Sequence, residues 1–94
     1  MSSDRDAAIT VSDDVAFEYL DDGGLLVSRL VTGEPWQLSA PAGQLWRWIL
    51  RHGRFRDVAT TMVQGLGVTE AEATSGLGAF CQEMESRGLL TVTR

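Results

Sequence analysis

The residues able to act as nucleophile, base or metal ligand are few. His52 is the single imidazole and Cys81 the single thiol of this 94-residue chain. His52 stands in a helix-ending turn between Arg51 and Gly53, where it reads as a solvated residue or a partner for the helix C-terminus. Cys81 falls on the apolar face of a predicted helix, and buried apolar surroundings leave a thiol inert. A Cys–His pair is conceivable, but nothing orients it. Turn and strand-start positions account for the adjacent carboxylates Asp13-Asp14 and Asp21-Asp22. No glycine-rich loop follows a strand and opens a helix, so phosphate cradling is not expected. One Cys and one His exclude the usual structural zinc sets and any internal disulfide. The expectation is therefore no catalytic residue, no metal and no cofactor.

Other residue types point to contact chemistry. Trp36 lies on a short strand, and Trp48 lies roughly 130° from the apolar stripe of its helix by the helical period. Exposed Trp is common at binding hot spots. Gly76 and Gly78 sit inside a predicted helix, each costing about 0.8–1 kcal/mol relative to Ala. Glu72, Gly76, Ala79 and Glu83 share one stripe of that helix, a shallow strip of small residues with an acid at each end. This strip is either a tight packing surface against the sheet or the wall of a groove for a partner strand.

These residues need elements to hold them. Val15, Phe17 and Tyr19 alternate with Ala16, Glu18 and Leu20, a strand period. Asp21-Asp22-Gly23-Gly24 turns the chain, and Leu25 to Val31 forms a second strand. Thr32-Gly33-Glu34 turns it again into a short third strand, Pro35 to Leu38. Proline cannot donate to a ladder, so this third strand is expected at a sheet edge. Ser39 then caps a helix carrying Ala42, Leu45, Trp46, Ile49 and Leu50 on one stripe, ended by Gly53. A second helix places Phe55, Val58, Ala59, Met62, Val63 and Leu66 on one face and stops at Gly65 and Gly67. The third opens at Thr69 with Glu72 as a capping box, carries Ala73, Leu77, Phe80, Cys81 and Met84, and ends at Gly88. Leu89 to Thr93 reads as extended. The fold class is α+β: a three-stranded antiparallel sheet followed by a three-helix bundle. Residues 1–12 read as an N-terminal segment that can be flexible, and 13–94 as one domain.

Charge narrows the partners. The net charge is −5, and all eight basic residues are Arg. An acidic domain is a poor general binder of nucleic acid, whose phosphates supply most non-specific affinity. Seven acids fall within the first 22 residues, whereas Arg47, Arg51, Arg54 and Arg56 cluster around the first interhelical turn. The Arg cluster is either a solvated face or a dock for an acidic protein surface. No signal peptide is expected from the first residues, and no apolar run approaches the roughly 18–20 residues of a membrane span. The expectation is a cytoplasmic protein.

The order and spacing of several short motifs resemble the PqqD-like family, the recognition elements of ribosomally made, modified peptides. The likeness is greatest to the stand-alone recognition proteins of lasso-peptide pathways. It runs from Gly24-Leu25-Leu26-Val27 through Trp36-Gln37-Leu38-Ser39, Gly53-Arg54-Phe55 and Val58-Ala59 before Leu66. It ends with Phe80, Met84 and Arg87-Gly88-Leu89-Leu90, covering about residues 12–91. The family often has Asn where Ser39 stands. It also often has an acid followed by an apolar residue where Gly76-Leu77 stands here, so the charge pattern of the groove differs.

The resemblance implies a winged-helix-like domain without activity of its own. Such a domain binds the leader part of a precursor as an extra antiparallel strand and delivers it to a peptidase and a cyclase. The expected peptide site is Glu34, Pro35, Trp36, Gln37 and Leu38 on the strand, with Glu72, Gly76, Leu77, Ala79, Phe80, Glu83 and Met84 on the third helix. Trp36, Leu38, Leu77, Phe80 and Met84 would line pockets for apolar anchors, and Glu72 and Glu83 would hold basic leader residues. Two other readings compete. A winged-helix DNA-binding regulator needs a basic reading helix, but the third helix carries Glu70, Glu72, Glu83 and Glu85. A small enzyme needs a nucleophile–base pair.

Overall fold

The computed structural model describes residues 7–93. Five strands and three helices follow one another as β1 (Ala8–Val11), β2 (Val15–Tyr19), β3 (Leu25–Arg29), β4 (Pro35–Leu38), α1 (Ala40–His52), α2 (Phe55–Leu66), α3 (Glu70–Ser86) and β5 (Leu90–Thr93). One antiparallel sheet runs β2-β3-β4, and a separate two-stranded sheet joins β1 to β5. The α+β architecture is as expected. β4 spans the expected residues, whereas β3 is shorter than the periodicity suggests. β3 stops at Arg29 because the Gly33 N–H donates to the Arg29 carbonyl (2.7 Å) and turns the chain. Leu30 and Val31 stand exposed at that tip.

β1 is a strand that sequence reading left inside the N-terminal segment 1–12. Its four residues pair with a segment some eighty positions away, Ala8 with Thr93 through Val11 with Leu90, and Ala8 also bridges Arg54 while the Ile9 N–H donates to the Gly53 carbonyl (2.8 Å). Local patterning carries little trace of such a pairing. Residues 1–6 of that segment lie outside the described residues. Ile9 and Val92 are buried partners, so the small sheet adds to the core.

Side-chain alternation explains how the larger sheet meets the helices. Leu25 and Val27 of β3 are fully buried, and their cross-strand neighbours Tyr19, Phe17, Leu38 and Trp36 share that face. The Phe17 ring meets Trp46 of α1 edge-to-face at 5.6 Å. Trp46 and Ile49 of α1, Phe55 and Val58 of α2, and Leu77 and Met84 of α3 complete the core. The helix stripes are core as expected, except that Leu50 and Leu66 at their ends stay exposed. Gly65 lies inside α2 rather than ending it, and a Cβ there would meet the Trp48 ring at 3.2 Å. Trp48 is thus half-buried on the bare backbone of α2.

α3 is fixed at both ends. The Glu72 N–H donates to Thr69 Oγ1 (3.1 Å) and the Thr69 N–H to Glu72 Oε1 (2.9 Å), the expected capping box. At the other end Gly88, with φ of 76°, allows the Leu89 N–H to reach the Met84 carbonyl (3.0 Å) and its own N–H to reach Glu85 (2.9 Å). This pair of bonds is a Schellman motif. None of the helices among the described residues is long and apolar enough to cross a membrane.

The start of α1 presses on the β2–β3 turn so closely that a Cβ on Gly43 would lie 2.5 Å from the Gly23 carbonyl oxygen. Backbone cannot swing aside as a side chain can. Gly43→Ala should therefore lower stability by about 1–3 kcal/mol, as overpacking does. Urea unfolding followed by circular dichroism checks this: the midpoint should fall while the slope stays at its parental value.

Candidate functional site

The predicted peptide-site residues fall on β4 and α3. β4 bonds to β3 on one side and forms the edge of its sheet on the other. Glu34, Pro35 and Gln37 are exposed, while Trp36 and Leu38 are half-buried against the core. On α3, Glu72, Gly76, Ala79 and Glu83 are all exposed, as their shared stripe requires, and Phe80 is half-buried. Leu77 and Met84 are 0% and 2% exposed. They belong to the floor beneath the strip and not to its open surface.

The two helix glycines now separate from tight packing. A Cβ on Gly76 would meet only the end of Met62 at 3.9 Å, an ordinary contact, and a Cβ on Gly78 would meet nothing within 4 Å. Neither bare position serves the fold by allowing close approach. The strip along α3 is exposed at all four of its positions, and Gly78 lies outside it.

Both acids of the strip already have partners. Glu72 is the capping-box acid, and its hydrogen bonds to Thr69 hold its carboxyl below the usual 4.5. Glu83 Oε2 accepts from Arg87 Nη2 at 2.6 Å. Arg87 in turn stands over the Trp36 ring, 5.8 Å from its centroid, and so joins the end of α3 to β4. Sequence reading did not place Arg87 in the site. The signal was present as the Glu-to-Arg spacing of four between positions 83 and 87, a favourable helical pair. Close by, the Gly88 backbone lies against the Arg29 guanidinium, whose Nη2 is 2.9 Å from Asp14 Oδ2. The α3–β5 corner is therefore packed against β3.

The residues with reactive chemistry lie elsewhere. Cys81 is 2% exposed, and exposed His52 has its Nε2 3.1 Å from Thr61 Oγ1 across the α1–α2 corner. Among the described residues no charged or polar side chain is buried, and no group of three metal-ligating side chains forms. A shallow hollow between α2 and α3 is lined by Ala59, Thr60, Val63, Gln64 and Glu70, away from β4. In the Arg cluster, Arg47 lies over the Tyr19 ring at 4.0 Å and helps hold β2 to α1.

No protein-family model matches the chain, and no curated protein matches it. Two solved structures are similar in fold. TbiB1 in complex with the TbiA(beta) leader peptide has a TM-score of 0.80 at 21% identity, covering 86% of this chain and 93% of that one. Lasso peptide synthetase B1 complexed with the leader peptide has a TM-score of 0.78 at 19% identity, covering 89% of this chain and 98% of that one.

Because Glu72 has a lowered pKa, its contribution to stability is present above its unfolded value and is lost as pH falls through the folded one. Glu72→Gln keeps an acceptor but not the charge. The melting temperature of Glu72→Gln should lie below that of the parent at pH 7, and the gap should close toward pH 3. A gap that stays constant from pH 7 to pH 3 would exclude a role for the carboxylate charge.

Proposed function

We propose that this chain captures the leader segment of a ribosomally made precursor peptide, of the lasso class, as an added antiparallel strand along β4 and beside α3. The observation that carries this reading is a fold shared over most of the chain with two leader-bound structures, in a molecule with an edge strand β4, an exposed strip on α3, and Arg87 past the end of α3 standing over Trp36 of β4. Strand addition suits such an edge, because backbone bonds supply the pairing and alternate side chains supply the choice. Trp36, Leu38 and Phe80 are the half-buried apolar residues that leader side chains would cover. A segment of roughly ten residues pairing there would bury several hundred Å² per partner, a modest interface.

The chain would supply no chemistry itself. The bound leader would be delivered to the peptidase and cyclase of the same pathway, and their docking would use surface outside the β4–α3 strip. The DNA-binding reading is weaker. α3, the helix that would have to read a groove, exposes Glu70, Glu72 and Glu83, and its terminal Arg87 is paired with Glu83. Such a surface repels phosphate.

The test uses synthetic leader peptides of lasso precursors, the TbiA(beta) leader among them. Calorimetric titration should show one-to-one binding. Ala79→Trp fills the open strip without touching the core stripe. It should weaken binding more than tenfold, about 1.4 kcal/mol or more, with circular dichroism and melting as in the parent. Precursor incubated with the chain alone should stay intact. Unchanged affinity in folded Ala79→Trp would move the site off α3, and cleavage lost in Cys81→Ala would make the chain a peptidase.

A further inference from the structure

The backbone register assigns which amides of β4 are free. In an antiparallel ladder, opposed residues alternate between pairs that exchange both backbone bonds and pairs that exchange none. The Leu30 N–H donates to the Asp14 carbonyl (2.7 Å), and the Leu20 N–H to Gly24 (2.9 Å). Between these two bonded pairs, the register places Ala16 opposite Ser28 and Glu18 opposite Leu26 as the other bonded pairs of β2 and β3. Leu26 and Ser28 therefore point their backbone groups at β2. Leu25 and Val27 point theirs at β4, where they meet Leu38 and Trp36. The N–H and C=O groups of Trp36 and Leu38 are spent on β3, and those of Pro35 and Gln37 face the open edge.

Pro35 supports this phase independently. A proline placed with its nitrogen toward β3 would cost the sheet a bond, whereas one facing outward costs it nothing. Beyond Leu38 the Ser39 carbonyl already accepts from the Gly43 N–H (2.8 Å). Within β4, the open edge thus offers two carbonyls, Pro35 and Gln37, and a single N–H, that of Gln37.

We infer that Gln37 is the backbone anchor of the bound strand and that β4 reads its ligand through a three-bond edge. This rests on the leader-binding reading above. One ligand residue exchanges both bonds with Gln37. The ligand residue two positions later donates to the Pro35 carbonyl and receives nothing back. The residue between them lies opposite Trp36 and the one before them opposite Leu38, with side chains on the Trp36–Leu38 face and amides turned away from β4. The two ligand residues facing Gln37 and Pro35 must each carry an N–H, so neither can be proline. The two facing Trp36 and Leu38 choose by side chain and tolerate a missing N–H. This is a specificity rule written in the ligand's backbone.

Amide hydrogen exchange by NMR tests the assignment, first without ligand and then with the synthetic leader peptide that binds tightest in the titrations above. In the free protein the Trp36 and Leu38 amides should be protected and the Gln37 amide should exchange freely. Saturating leader should slow Gln37 more than tenfold, beyond any change at Trp36 or Leu38. Gln37→Pro should lose at least tenfold in affinity while melting like the parent. If Gln37→Pro does not fold, single N-methylation along the leader decides: two positions, two apart, should each cost more than tenfold, and the position between them should not. A leader that binds while Gln37 exchange stays unchanged, or N-methyl losses without that spacing, overturns the anchor and leaves leader binding standing. A parent chain that binds no leader overturns the leader-binding reading and the anchor with it.

Discussion

β3 is the constraint on which the rest of the molecule is built. Leu25 and Val27 are wholly buried under the helices, so the strand cannot shift by one residue without turning them to solvent. Its backbone is committed on both sides, to β2 and to β4. Once β3 is locked in register, the phase of both neighbours follows. The side chains that drive burial thereby also decide which backbone groups of β4 face outward. Packing in the core and hydrogen bonding at the rim are one decision.

Most of the architecture was legible because its signals are local. The β2–β3 turn at Asp21-Asp22-Gly23-Gly24, the Thr69–Glu72 capping box and the helix ends at Gly53, Gly67 and Gly88 are each written within a few residues. What escaped depends on distant partners. β1 exists because β5 returns beside it, and Ala8-Ile9-Thr10-Val11 is too short to announce itself. The helical period put Trp48 outside the core stripe, but only the folded chain shows Gly65 making room for its ring. The site divides in the same way. Pro35 marked the edge from sequence, and the stripe of Glu72, Gly76, Ala79 and Glu83 is indeed exposed. The capping role of Glu72 was legible and the Glu83–Arg87 spacing was there to be read, but the place of the Arg87 guanidinium over Trp36 appears only in the folded chain.

The engagement of both acids changes the electrostatics of the strip. A carboxylate that caps its own helix or pairs with a neighbouring guanidinium has little left to offer a basic ligand residue. An exposed ion pair of this kind contributes little to stability. The Glu83–Arg87 pair instead keeps the Arg87 guanidinium over Trp36, at the junction of α3 and β4. Choice among ligands then falls to shape and apolar contact on the Trp36–Leu38 face, and less to charge.

The pairing of β1 with β5 sets Ala8 directly opposite Thr93. Opposed residues in such a ladder have Cα atoms about 5 Å apart, although the molecule extends 37 Å along its longest axis. Entrance and exit of the domain are therefore one doorway. A unit built this way can be spliced into a surface loop of a larger protein, or joined to a neighbour through either end, without a linker spanning its width. The same geometry lets a short bridge close the two ends, so that the chain can be reopened in an exposed turn far from β4.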